Sequence, residues 1–132
     1  MSSGWNWIEI LDIRAIHDAQ IARHGGPGGV RDQGLIESAL ARPRNLAAYG
    51  DPDAADLAAA YAYGIARNHG FVDGNKRTAW VVARVFLADN GLDLVFDQAD
   101  GYRFMMSVAD GSLDEASIAG WFRDRIKPQA SG

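Results

Sequence analysis

Glycine, proline and asparagine cut this chain into segments of helical length, and the apolar residues inside them recur every three to four positions rather than every second one. Ile8, Leu11, Ala15, Ala19 and Ala22 mark one face of a first helix, which His24-Gly25 stops. Gly25-Gly26-Pro27-Gly28-Gly29 suits no regular element and is expected to be a mobile loop or a flap. Asp32 is placed to cap a second helix that runs to about Arg42, where Pro43 ends it. Gly50-Asp51-Pro52-Asp53 turns into a third helix, with Leu57, Tyr61, Gly64, Ile65 and Asn68 on one face and an end near His69-Gly70. A fourth begins near Asn75 and reaches the C-cap pair Asn90-Gly91. Its body is apolar nearly all round, which predicts a central, buried helix. Residues 92–96 form a short extended piece. Ser112-Leu113-Asp114-Glu115 reads as a capping box opening the last helix, whose apolar side is Ile118, Trp121, Phe122 and Ile126. The expected fold is all-α, a compact single-domain helical bundle over 1–127, with a flexible tail at 128–132.

The 132 residues fit one hydrophobic core, and 48% hydrophobic with 23% charged residues argues against disorder except at the ends. A net charge of -4 provides no basic footprint, so direct nucleic-acid binding is not expected. The absence of cysteine excludes disulfides, thiolate metal sites and a cysteine nucleophile, and fits a reducing compartment, the cytoplasm. Residues 1–7 lack the basic and apolar regions of a secretion signal. The longest apolar stretch, 78–88, is interrupted by Arg84 and is too short for a bilayer, which needs about 20 residues. Trp5 and Trp7 are candidates for an interface or a tail.

The chemistry concentrates in His69-Gly70-Phe71-Val72-Asp73-Gly74-Asn75-Lys76-Arg77-Thr78. A helix N-terminus carries partial positive charge and free N–H groups, so it favours acidic residues. Lys76 and Arg77 occupy that first turn instead, at a cost of a few tenths to ~1 kcal/mol each. The simplest compensation is a bound anion, with amides, helix dipole and two cations converging on one phosphate. Gly74 leaves room for it. Asp73, just outside the turn, is compatible with phosphates when a cation such as Mg²⁺ lies between them. His69, at the end of the preceding helix, is placed to take a proton from an attacking hydroxyl. Phe71 should point into the core and pin the loop. Singly, each residue has an ordinary reading: Asp73 an N-cap, His69 a helix-end histidine, Lys76 and Arg77 solvated charges, Gly74 a turn. Their density on ten residues favours a site. It is not a P-loop, because Gly70 and Gly74 are separated by only three residues and Asn75 stands between Gly74 and Lys76.

The run from His69 to Arg77 resembles the motif of the Fic/Doc family, in its Doc (death-on-curing) form. The resemblance extends to His17-Asp18 and Arg23-His24-Gly25-Gly26, similar to the Doc first helix and glycine-rich loop, and to Phe96-Asp97 and the last helix. It implies a Fic fold and a toxin of a toxin–antitoxin module. Fic proteins usually transfer AMP from ATP to a target hydroxyl. Doc toxins resemble kinases that bind ATP in the reverse sense and phosphorylate a threonine of elongation factor Tu, stopping translation, and a Phd-type antitoxin neutralises them. The implied roles are His69 as general base, Asp73 as the Mg²⁺ carboxylate, and Gly74, Asn75, Lys76 and Arg77 as phosphate contacts. Lys76 replaces the second glycine of the usual Fic motif and Trp80 its second arginine. A lysine stem and an indole should block the usual Fic nucleotide pose, which favours the kinase over the AMP transferase. A degenerate, inert antitoxin-binding module is a third reading, and the presence of both His69 and Asp73 argues against it. The self-inhibitory Fic run of Ser or Thr, three residues and Glu does not occur, so inhibition by a separate antitoxin is expected. Its helical tail would lie near the first helix and the loop of Gly25, Gly26, Gly28 and Gly29, which as a flap would also hold the target's extended segment.

Overall fold

The computed structural model describes residues 4–130. They form α1 (Ile10–His24), α2 (Gln33–Tyr49), α3 (Ala54–Asn68), α4 (Asn75–Asp89), β1 (Leu92–Leu94), α5 (Gln98–Ala109), α6 (Glu115–Arg123) and β2 (Ile126–Pro128). The architecture is all-α as expected, with one small antiparallel sheet pairing Leu92 with Pro128 and Leu94 with Ile126.

The central helix is α3 rather than α4. Ala58, Ala59, Ala60, Tyr61 and Ala62 are wholly buried. Its alanines keep the helix thin, and at Gly64 a Cβ would lie 3.4 Å from Ala39 of α2. Helix α4 packs one side on α3 through Thr78, Ala79, Val82, Ala83, Phe86 and Leu87. Its other side, with Trp80 and Val81 half-buried and Arg84 exposed, faces a cleft. A helix apolar all round therefore has one face in the core and one toward a cleft.

Four further expectations are corrected. In α1 the buried residues are Ile13 and His17, while Leu11 is 77% exposed and Ala15, Ala19 and Ala22 are exposed too. The true face places a histidine in the core, which an apolar pattern does not register. Helix α2 continues through Pro43 to Tyr49. Proline inside a helix costs ~3 kcal/mol, and burial of Pro43 itself with Ile36, Ala39 and Leu40 offsets that. Helix α5 was not anticipated. It buries Gly101, Phe104, Met105 and Val108. Helix α6 is capped by Asp114, whose carboxylate accepts the Ser117 N–H at 2.8 Å, and Ile126 belongs to β2.

Both ends of the described chain dock beside the end of α4. Asn6 donates to Asn90 and to the Asp89 carbonyl, each at 2.9 Å, and Trp5 and Trp7 pack against Phe86 with ring centroids 6.0 Å apart. The Ile8 N–H donates to the buried Tyr61 hydroxyl at 3.0 Å. Gln129 donates through its backbone to Gly91 and through its side chain to Ala88, both at 2.9 Å. The chain is thus held through Gln129, one residue beyond the expected start of a free tail at 128. Residues 131–132 lie outside the described residues.

Candidate active site

Helices α3 and α4 meet at the corner 69–74. His69 is the C-cap of α3 in the left-handed conformation, φ 53° and ψ 47°, the one non-glycine with positive φ among the described residues. That conformation costs a non-glycine residue roughly 1–2 kcal/mol and is usually given to glycine at helix ends. Arg31 braces it: Nε donates to the His69 carbonyl at 2.7 Å and Nη2 to the Asn68 carbonyl at 3.3 Å. The His69 side chain is exposed, and among the described residues no hydrogen bond or ion pair engages the imidazole.

The backbone that follows is stitched to distant segments. The Gly70 carbonyl accepts from Arg31 N–H (2.8 Å) and Asp32 N–H (2.9 Å), and a Cβ at Gly70 would run into Ile36. Val30 and Phe71 form an antiparallel bridge, and Val72 N–H donates to Gly29. Phe71 is buried, as expected, and stacks on His17 with centroids 3.8 Å apart and planes 9° apart. The His17 Nε2 lies 2.7 Å from the Asp73 carbonyl. A carbonyl only accepts, so Nε2 carries the proton. Asn75, 8% exposed, accepts the Phe71 N–H and donates to the Phe71 carbonyl, both at 3.0 Å. This side chain shapes the loop, and the Asn75 backbone N–H lies in the first turn of α4.

The Asp73 carboxylate is exposed, with Oδ1 accepting from Gly74 N–H at 2.8 Å. The glycine-rich loop folds against it: a Cβ at Gly26 would lie 2.5 Å from Asp73 Oδ2. The loop is not free, since Gly25 N–H caps α1 at Ile21 (2.8 Å) and Gly29 bonds to Val72. Gly28 stands 3.9 Å from Ile21 by the same measure, whereas Gly25 and Gly29 have open space around them.

Gly74 is the N-cap of α4 with φ 77°, and a side chain there would press on Ile21 at 3.3 Å and on His17 at 3.6 Å. A glycine cap brings no side-chain acceptor to the amides of Asn75, Lys76 and Arg77, and the first turn holds no acidic residue. Lys76 and Arg77 line one cleft of about 520 Å³, together with His24, Trp80 and Tyr102. Among the described residues Lys76 Nζ reaches only the Met106 thioether, at 3.0 Å, a weak acceptor. Arg77 has no hydrogen-bond or ion-pair partner among the described residues. A groove of about 530 Å³ between α2 and α3 offers no such charge, because its Arg42 is paired with Glu115 at 2.5 Å.

The donor set fits a shared cation rather than a protein cage. No group of three or more His, Cys, Asp or Glu that could hold a metal occurs among the described residues. One open carboxylate suits Mg²⁺, which takes one or two carboxylates and completes its shell with phosphate oxygens and water. Local sequence signals placed the corner; they missed Arg31 and gave His17 no role, because both reach it across the fold, over 38 and 56 residues.

A model of the Fic/DOC family matches residues 7–87, a span that holds α1, Arg31 and the whole corner. The chain is 43% identical over 117 residues to Toxin Doc of Mycolicibacterium smegmatis, covering 84% of this chain and 88% of that one. It is 36% identical over 113 residues to Protein kinase doc of Escherichia phage P1, covering 85% and 89%.

Proposed function

This chain belongs to the Fic/DOC family, and from that premise we propose that it is the toxin of a toxin–antitoxin module acting in the cytoplasm. Its reaction moves the γ-phosphate of ATP to a Thr or Ser hydroxyl of an elongation factor Tu-like protein and so arrests translation. The observation that carries this reading is the uncompensated cationic start of α4, where Lys76 and Arg77 share one cleft beside a glycine cap. Similarity to a protein named as a kinase supports phosphoryl transfer. Trp80 narrows the cleft, its ring set edge-on to Phe96 at 5.1 Å.

In the proposed step the target hydroxyl gives its proton to His69 while its oxygen bonds to the γ-phosphorus, and the bond to the ADP oxygen breaks. Lys76, Arg77 and the amides of Asn75–Arg77 neutralise charge on the phosphate oxygens. Asp73 would hold Mg²⁺, which when bound screens the carboxylate from the phosphates and adds positive charge there. The loop at Gly26 covers one side of that carboxylate. The partner that restrains the activity is a Phd-like antitoxin, placed along the exposed apolar side of α1 that runs from Leu11 to Ala22.

The test is incubation of the purified protein with elongation factor Tu and ATP labelled at either the γ- or the α-position. Label from the γ-position is expected, and His69→Ala should lower the rate roughly 10²–10⁴-fold. Label arriving only from the α-position would replace this reading with AMP transfer.

A further inference from the structure

We infer that Arg31 is a positioning residue for His69, an inference that rests on the transfer reading above. A histidine in the left-handed region at a helix end does not hold itself there, and glycine is the residue that ordinarily does. Arg31 supplies the hold from outside the helix. It contacts three consecutive residues of the corner: Asn68 and His69 through its guanidinium, Gly70 through its backbone N–H. Arg31 is exposed, and among the described residues its guanidinium meets no carboxylate. Its side-chain contacts are thus confined to the carbonyls that end α3, groups with no partner inside the helix. The planar fork matters, because two carbonyls of successive residues are engaged by two different nitrogens. A lysine ammonium is a point donor on a flexible stem and cannot reproduce that. Arg31 touches no reacting atom in this scheme and acts through the backbone from which the imidazole departs.

The experiment compares Arg31→Ala and Arg31→Lys with the unaltered protein. In the transfer assay kcat should fall roughly ten- to hundredfold in Arg31→Ala. The KM for ATP should stay within about twofold, because Lys76 and Arg77 are untouched, and Arg31→Lys should recover only part of the loss. In parallel, NMR Cα and Cβ shifts of His69 should leave the left-handed range in Arg31→Ala while the melting temperature is held. A rise in KM with constant kcat, or His69 shifts that do not move, overturns the inference. If the unaltered protein transfers no phosphate, the transfer reading fails and the His69 shifts alone decide the role of Arg31.

Discussion

At Gly26 the backbone passes so close to Asp73 that a single methyl group decides the geometry of the carboxylate. Alanine there would put a Cβ 2.5 Å from Oδ2 at a φ of +103°. Gly29 provides the comparison, since it has φ +104° and nothing within 4 Å. Both alanine variants carry the same backbone strain, but only Gly26→Ala displaces the carboxylate. Transfer is expected to fall roughly tenfold or more in Gly26→Ala and less in Gly29→Ala, as measured by initial rates at saturating ATP. Residues of this kind were legible in part. The unusual charge of the first turn pointed to Lys76 and Arg77, and Phe71 read as an anchor. The resemblance named Asn75 a phosphate contact, and a structural use of its side chain was not foreseen. Its actual use, bonding both backbone groups of Phe71, depends on a loop conformation that spacing does not reveal.

Helices α3 and α6 meet through a charged cap. Asp53 caps α3 by accepting from Asp56 N–H at 2.9 Å, and Arg123 of α6 bonds to Asp53 at 2.8 and 3.0 Å and to Asp56 at 2.9 Å. The Arg123 hydrogen bonds are the main reason that the Asp53 carboxyl is lowered from 3.8 to about 2. A carboxyl lowered on folding stabilises above its unfolded value, and that stability drains as pH falls from 3.8 toward about 2. The melting temperature should therefore decline over this window, and Asp53→Asn should flatten the decline; the effect is modest because the pair is half exposed. Elements differed in how plainly they announced themselves. Helices α3 and α4 were bounded by strong caps and glycines. Helix α5 was hidden because Gly101 occupies its buried face, a position that pays off only against the ring of Phe96, 2.8 Å from where a Cβ would sit. The phase of α1 was misjudged because alanines counted as core, whereas His17 takes that place with the Asp73 carbonyl as its partner.

The whole molecule is organised around Tyr61, fully buried on α3 and bonded to the Ile8 backbone. Burial pushes its phenol up from 10.0 to about 12. The unfolded chain releases this proton at a lower pH than the folded one does, so stability present below pH 10 is lost as pH rises toward about 12. Tyr61→Phe removes that alkaline dependence but leaves the Ile8 N–H without its acceptor, at a cost of about 1–3 kcal/mol measurable by denaturant unfolding.

The docking of both Asn6 and Gln129 near the end of α4 has a practical corollary. The fifteen residues of α4 set that end about 20 Å from the corner 69–74. A fluorophore, affinity handle or surface tether joined through either residue leaves the protein at the opposite end of α4 from His69 and Asp73, so the molecule can be immobilised or tracked with that corner unobstructed.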